Sequence, residues 1–368
     1  MFVITTRNFP PDVGGMQFLM FGIAKNLVRH GPVQVFADDF KNSNDFDNSQ
    51  DFAVKRIKGI KFLAKYRKVS QIQNFVSLKN NPRAIISDHW KSIEKLPLNF
   101  CNKQKILCLI HGKEINHPIG SPIHTRMISS LNKSFKIIAN SNFTKNLAIE
   151  KKIASNKIEV INPGIDLNHS IHETDLQNAK KIIKNNSPII VTIARLEQRK
   201  SIDKVLLSIK NLKSKYENLK YIILGDGDEY KNLNKIVSNL KLNDTVDFIQ
   251  DTSQGLKNAI LKSSNIFVMP SIQQGRSVEG FGIVFLEAAK YGVPSIGGIK
   301  GGAADIIKNG ETGLLCNGEQ QSEIYNALLK MLDGDKYIEM GKSAEIYSKG
   351  FSWENQIKKI INLINERK

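Results

Sequence analysis

Long hydrophobic runs are absent from this chain of 368 residues. No stretch approaches the roughly 18 apolar residues that a bilayer-crossing helix requires, so any contact with a membrane is expected to be peripheral. The opening MFVITTRNFPP has neither the basic start nor the long apolar core of a secretory signal. Cysteine is scarce as well. Cys101, Cys108 and Cys316 form no CxxC pair and no even framework, which argues against a disulfide-stapled scaffold and points to the reducing cytosol. Cys101 and Cys108 stand close to His111, but a structural zinc site takes four ligands and no fourth is evident. The chain also has no GxxxxGK[ST] phosphate loop, no GxSxG elbow and no HExxH pair. GDGDEY at Gly225–Tyr230 lacks the third glycine of a dinucleotide fingerprint.

Acidic residues are the remaining shortage. Asp and Glu number 35 against 53 Lys and Arg, a net charge of +18. Such an excess fits an anionic partner: nucleic acid, an acidic membrane surface or a phosphorylated substrate. It fits equally a lysine-rich solvated surface. No helix-turn-helix, zinc finger or aromatic-basic RNA motif stands out, so no nucleic-acid partner is expected.

What the chain does have is alternation. Short apolar runs at Met1–Thr6, Val33–Ala37, Ala84–Ser87, Ile106–Ile110, Phe135–Ala139 and Ile158–Ile161 read as strands separated by amphipathic stretches. After the turn signal Asn162-Pro163-Gly164 and a polar stretch, the pattern restarts at Ile189–Ile193. It continues through Tyr221–Leu224, Val246–Phe248, Ile266–Met269 and Ser295–Gly298. The chain closes on an amphipathic helix, Trp353–Glu366. Hydrophobic content of 41% and charged content of 24% are those of an ordinary globular protein. Two successive series of this kind predict an α/β protein with two doubly wound parallel sheets. Ligands then belong at the carboxyl ends of the strands.

Four motifs fall at such strand ends. Glu279-Gly-Phe-Gly-Ile-Val-Phe-Leu-Glu287 places Gly280 and Gly282 just before a helix, whose unpaired N–H groups suit an anion. Glu287, about five residues into that helix, suits a ribose diol. Arg195 and Lys200 of ARLEQRK follow a strand directly and could neutralise a diphosphate. Gly14-Gly15 follows the first strand, and His111 of IHGKE ends another. Each has a plain alternative: a glycine turn, solvated loop charges, a structural histidine.

Taken together, these motifs resemble the retaining GT-B glycosyltransferases of family 4. The resemblance runs along nearly the whole chain in the family's order, through PPDVGGMQ, IHGKE, ANSNFTKN, INPGID, ARLEQRK, ILGDGDE, MPS, EGFGIVFLE, GVPSIGG, GGAADII, NGETGLL and FSWENQIKKII. VMPSIQQGRSVEGFGIVFLEAAKYGVPSIGGIKGG looks most like the branch containing bacterial phosphatidylinositol mannosyltransferases. Similar loops occur in enzymes of surface-polysaccharide assembly.

The resemblance implies two facing Rossmann-like domains with a cleft between them: an acceptor-side domain over 1–165 and a nucleotide-sugar domain over 188–350. Residues 166–187 form a connector, and a C-terminal helix over 351–368 packs back toward the first domain. It implies that Arg195 and Lys200 bind the donor diphosphate together with the Gly282 and Ile283 amides, in a turn that includes Gly280 and Phe281. Glu279 would contact the transferred sugar and Glu287 the ribose. His111 would lie beside the reacting sugar, Gly15 near the phosphate, and Ile249 and Gln250 around the base. FIQD stands where many relatives carry a glycine, Ala194 replaces a frequent glycine, and His169-Ser170 departs from the usual aromatic.

The implied reaction moves a hexose from a nucleotide sugar, GDP-mannose or a UDP-sugar, to a lipid-linked or cell-envelope polysaccharide acceptor. Neither cofactor nor metal is expected, since the protein supplies its own cations. An enzyme of another reaction type such as an epimerase could share the two-domain fold; a non-catalytic nucleotide-sugar-binding module would go with a degenerate site, against which the intact Arg195, Lys200, Glu279 and Glu287 argue. Residues 53–83 hold nine Lys/Arg and no Asp/Glu. They read either as a surface helix for anionic lipid on the cytoplasmic face of the membrane or as a solvated basic face.

Overall fold

The computed structural model describes residues 1–78, 81–167 and 170–367. The chain divides into two units, Met1–Gly164 with Ser352–Lys368, and Ile165–Phe351.

In the first unit seven parallel strands lie in the order β3-β2-β1-β4-β5-β6-β7. They are β1 (Phe2–Thr6), β2 (Val33–Asp38), β3 (Ala53–Ile57), β4 (Ala84–Ser87), β5 (Ile106–Ile110), β6 (Lys136–Ala139) and β7 (Ile158–Val160). FVITT and ILCLI are buried at every residue, as central strands covered on both faces must be. β1 lies between β2 and β4, with Phe2 opposite both Val33 and Ala84. The sheet therefore changes direction between β1 and β4.

The C-terminal helix, Trp353–Asn365, belongs to this unit. Trp353, Ile357, Ile360, Leu363 and Ile364 share one face and join the core beneath β1. Trp353 lies so close to Gly22 and Gly164 that a Cβ at either would overlap its indole ring.

The second unit repeats the design with six parallel strands ordered β10-β9-β8-β11-β12-β13. They are β8 (Ile189–Ile193), β9 (Lys220–Leu224), β10 (Val246–Ile249), β11 (Ile266–Met269), β12 (Ser295–Gly298) and β13 (Gly313–Cys316). Here the change of direction falls between β8 and β11. The stretch 166–187, read from sequence as a connector, carries the helix Glu173–Ile183. Its Ala179 and Ile183 are buried in this unit's core.

Two strands have weak signatures in the sequence, β3 and β13. Both are sheet edges; β3 is poorly buried, whereas β13 is mostly buried. β3 sets Lys55 beside Arg56 and buries only Ile57 fully; charge on an edge strand is a common way of blunting it. The basic segment 53–83 is a strand followed by a helix, Lys61–Leu78. Among the described residues no helix is long and apolar enough to cross a membrane. The three cysteines are buried.

Candidate functional site

In the second unit the loops that follow β8 and β11 border the point where strand order reverses, the crevice at which open parallel sheets bind ligands. The first loop makes a single 3-10 turn, Gln198–Lys200, which carries Lys200 inward. Lys200 is buried, and its Nζ donates to Oε2 of Glu279 and reaches Met269 Sδ at 3.3 Å. Arg199 donates to the same Glu279 oxygen at 3.2 Å and to Glu197 at 2.8 Å. Burial alone would raise the Glu279 carboxyl. The two cations outweigh it and hold the group down to about 2. The result is a half-buried carboxylate under two cations, at the carboxyl edge of the sheet.

A glycine turn forms the other wall. Gly282 caps the helix Ile283–Lys290 with φ 83°, a left-handed conformation that glycine adopts without penalty. A Cβ there would also sit 2.5 Å from the Phe285 ring. The GGIKGG loop after β12 presses against this turn. Gly302 N donates to Glu279 O at 2.8 Å, and a Cβ on Gly302 would lie 1.9 Å from Gly280 O. Backbone thus packs directly on backbone, and the turn holds the first N–H groups of the helix at the crevice. Phe281 is buried in the core against Phe351, so it offers a ligand its backbone and not its ring.

Glu287 is the fifth residue of that helix and is buried, with Lys257 Nζ donating to its Oε1 at 2.7 Å. One carboxylate oxygen is therefore occupied by a cation from the helix Gln254–Lys262, and Oε2 is the better placed to accept from a hydroxyl. At the β10 end Ile249 is half-buried, while exposed Gln250 donates to Asp226 at 2.9 Å. Gly225 and Gly227 let the GDGD loop approach the backbone of Ala194 and Leu196 closely. Three strand-end loops are thereby tied together.

The sequence-derived assignments meet this geometry unevenly. Lys200, Glu279, Gly280, Gly282 and Ile283 converge. Arg195 does not join them: its side chain is 77% exposed, with the guanidinium 3.8 Å from Glu197. Arg199 occupies the place at Glu279 instead. Arg199 and Lys257 were not singled out by the sequence. The RK pair of ARLEQRK was the available signal for the first; nothing in the local sequence marks the second.

In the first unit the buried carboxylate of Asp88 organises the ends of β1 and β4. It accepts from Thr6 Oγ1, the Arg7 amide and Ser92 Oγ at 3.0, 2.8 and 2.7 Å. His111, at the end of β5, places Nε2 2.9 Å from the Asp88 carbonyl. A carbonyl only accepts, so Nε2 carries a proton and donates it there. The His111 amide donates to Glu114. His89 is buried and accepts from the Lys91 amide through Nδ1 at 2.9 Å. Burial, with further help from Arg7, His111 and Lys91, lowers its pKa to about 3 despite Glu114. Gly15 is the exposed first residue of the helix Gly15–Leu27.

Of the basic segment, Arg56 is held by Asp47 at 2.7 Å and buried Lys68 by Asp38 and the Thr6 carbonyl, so neither is a surface charge. Lys79 lies outside the described residues, as does His169. Among the described residues no three His, Cys, Asp or Glu side chains are grouped as a metal site would need.

Known proteins share this architecture and these sequences. The model for glycosyl transferases group 1 matches residues 173–350, and that for Glycosyltransferase Family 4 matches residues 13–169. A GDP-mannose-dependent alpha-(1-6)-phosphatidylinositol monomannoside mannosyltransferase of Mycobacterium tuberculosis is 23% identical, over 98% of this chain and 97% of its own. The crystal structure of Anabaena Alr3699/HepE in complex with UDP superposes with a TM-score of 0.82 at 17% identity, covering 98% of both chains. Sucrose-phosphate synthase from Thermosynechococcus elongatus gives 0.81 at 18% identity, with the same coverage.

Proposed function

Because this chain belongs to the family 4, group 1 glycosyltransferases of the GT-B fold, we propose that it transfers a hexose, with retention of configuration, from GDP-mannose or a UDP-hexose to a lipid-linked or cell-envelope polysaccharide acceptor. One observation carries the reading: Lys200 and Arg199 converge with a helix N-terminus at the sheet's switch point.

When a glycosidic bond to a nucleoside diphosphate breaks, negative charge grows on the departing phosphate. Fixed cations and oriented N–H groups in a water-poor crevice stabilise that charge, and loss of one such donor typically costs about 10²–10³ in rate. Lys200 and the Gly282 and Ile283 amides take this role. Glu279 is kept ionised by Lys200 and Arg199, ready to accept from hydroxyls of the transferred sugar. Glu287 Oε2 accepts from the ribose. On this reading the charge on phosphate is met by protein cations without a metal, and Ile249 and Gln250 border the base. The mannosyltransferase relative, similar over its full length, supports GDP-mannose as donor; the UDP complex of a structural neighbour keeps a UDP-sugar in view.

We place the acceptor at a membrane surface. Support comes from Ile60, Leu63 and Tyr66, exposed by 73%, 48% and 45%, interspersed with exposed Lys58 and Arg67. Apolar side chains among cations are what an anionic headgroup layer favours, at about 1 kcal/mol per basic residue.

A thermal-shift screen against nucleotide sugars, followed by product analysis with the stabilising donor and an envelope lipid extract, tests the assignment. One donor should raise the unfolding midpoint, and its hexose should appear on an acceptor with unchanged anomeric configuration. Interconversion of the free nucleotide sugar, or stabilisation by none, would contradict it.

A further inference from the structure

Two charged side chains of the loop after β8, Arg195 and Glu197, have no part in the transfer proposed above. Glu197 stands between two arginines. Its Oε2 accepts from Arg199 Nε at 2.8 Å, and its Oε1 faces the Arg195 guanidinium at 3.8 Å, too far for a hydrogen bond. Arg199 reaches on to Glu279 Oε2 at 3.2 Å, where Lys200 Nζ also donates. Charge therefore alternates along one chain of contacts, from Arg195 through Glu197, Arg199 and Glu279 to Lys200.

The turn itself does not need the Glu197 carboxylate. Backbone closes it: the Lys200 amide donates to the Glu197 carbonyl at 2.9 Å, and the Glu197 amide donates to the Arg195 carbonyl at 2.8 Å. Glu197 holds the cap position of the 3-10 turn Gln198–Lys200, yet its side chain accepts from no amide of that turn. The carboxylate is given over to the two guanidiniums. These are held differently. Arg199 is half-buried and gripped from both sides, by Glu197 and by Glu279, and the Ile272 amide donates to its carbonyl at 2.8 Å. Arg195 is exposed, and its tie to Glu197 is a loose ion pair of a kind that contributes little. Arg199 is thus fixed, while Arg195 can turn to a competing anion at small cost. The field of Glu197 also reaches Lys200. Burial depresses the Lys200 ammonium and Glu279 opposes that; Arg199 depresses it further, and Glu197 opposes it to a smaller extent.

We propose that Glu197 is a positioning residue that competes with the nucleoside diphosphate for Arg195, and so weakens the hold of the site on its product. The inference rests on the reading of Lys200 as the receiver of the diphosphate, and adds a residue that acts against affinity. Cleavage of the glycosidic bond leaves the nucleoside diphosphate with one more ionised oxygen than the nucleotide sugar had. The cations that stabilise that charge also retain the product, and product release limits many enzymes. A carboxylate within the same turn offsets this. It offers Arg195 an anion to return to, and it repels the diphosphate at Lys200. Its tight bond to Arg199 keeps the second guanidinium on Glu279 throughout.

Isothermal titration calorimetry of the full chain with UDP and with GDP tests this. Glu197→Gln should bind the nucleotide that wild type prefers about threefold more tightly, the order expected when one exposed ion pair is released. The gain should shrink as salt is raised. Glu197→Asp keeps the charge and should stay within about twofold of wild type. In an Arg195→Gln background the gain from Glu197→Gln should disappear, because the two residues act through one contact. A side chain that only supported the turn would behave in the opposite way, loosening the site and lowering the unfolding midpoint when replaced. Equal or weaker binding by Glu197→Gln overturns the proposal. So does an equal gain in Glu197→Asp, or a gain that persists in full without Arg195. If wild type bound neither nucleotide, the donor reading itself would fail, so the two failures are told apart by the wild-type titration.

Discussion

Lys200 is buried, and its ammonium lies on Glu279 at the crevice. Lys200→Ala is expected to lower transfer by at least tenfold, toward the 10²–10³ range of lost transition-state donors. Glu287→Ala should also cost at least tenfold, through donor binding. Lys257→Met leaves Glu287 without the partner that fixes Oε1, so donor KM should rise several-fold while kcat changes little. Steady-state kinetics on variants with unchanged far-UV circular dichroism check all three.

His89 bears on stability rather than turnover. Its pKa is lowered from 6.5 to about 3, so the folded chain resists a proton that the unfolded chain accepts. Its contribution is complete above 6.5 and is lost progressively as pH falls toward about 3. His89→Gln should flatten the pH dependence of the urea midpoint over that interval; an unchanged slope would count against the buried neutral imidazole.

At this scale the sequence was legible where a motif names a charge at a strand end, as with Lys200 and Glu279. It could not separate Arg195 from Arg199, because which side chain turns inward depends on the 3-10 turn at Gln198–Lys200. Nor could it pair Lys257 with Glu287, which lie 30 residues apart on different helices.

Elements are held in place by close backbone approach. The turn at Gly280–Gly282 is fixed by the loop after β12, which only a residue without a Cβ at 302 allows. The C-terminal helix is held by a single large anchor. Trp353 is 7% exposed and rests in the hollows left by Gly22 and Gly164. Trp353→Ala should cost about 3–5 kcal/mol, the usual range for removing a buried aromatic. Equilibrium denaturation followed by a probe in the first unit measures it, and a loss below about 1 kcal/mol would mean the helix docks without its anchor. Central strands were legible because they are apolar along their whole length. β3 was not, because it pairs two cations with a single fully buried residue; β13 was not, because it is four residues long and opens on glycine. The helix Glu173–Ile183 escaped notice as part of a core because its amphipathic face is short and flanked by lysines.

For the whole molecule, the two units repeat one design, each a parallel sheet with a single switch point. The net charge of +18 already sets carboxylates against cations, and inward-turned Arg56, Lys68, Arg199 and Lys200 are paired with carboxylates, so the excess is carried by the other basic side chains. What remains outside is expected to act at membranes. In liposome flotation, vesicles containing phosphatidylglycerol should recover several times more protein than phosphatidylcholine alone, and the difference should shrink with salt. Equal recovery would confine residues 53–83 to a solvated face.

The central claim is that Lys200 and the N-terminus of the Ile283–Lys290 helix receive the leaving diphosphate. A crystal structure of the full chain with UDP or GDP tests it most directly. The account predicts the diphosphate within about 3.2 Å of Lys200 Nζ and of the Gly282 and Ile283 amides, with the ribose on Glu287. A nucleotide bound at any other edge of the second unit would contradict it.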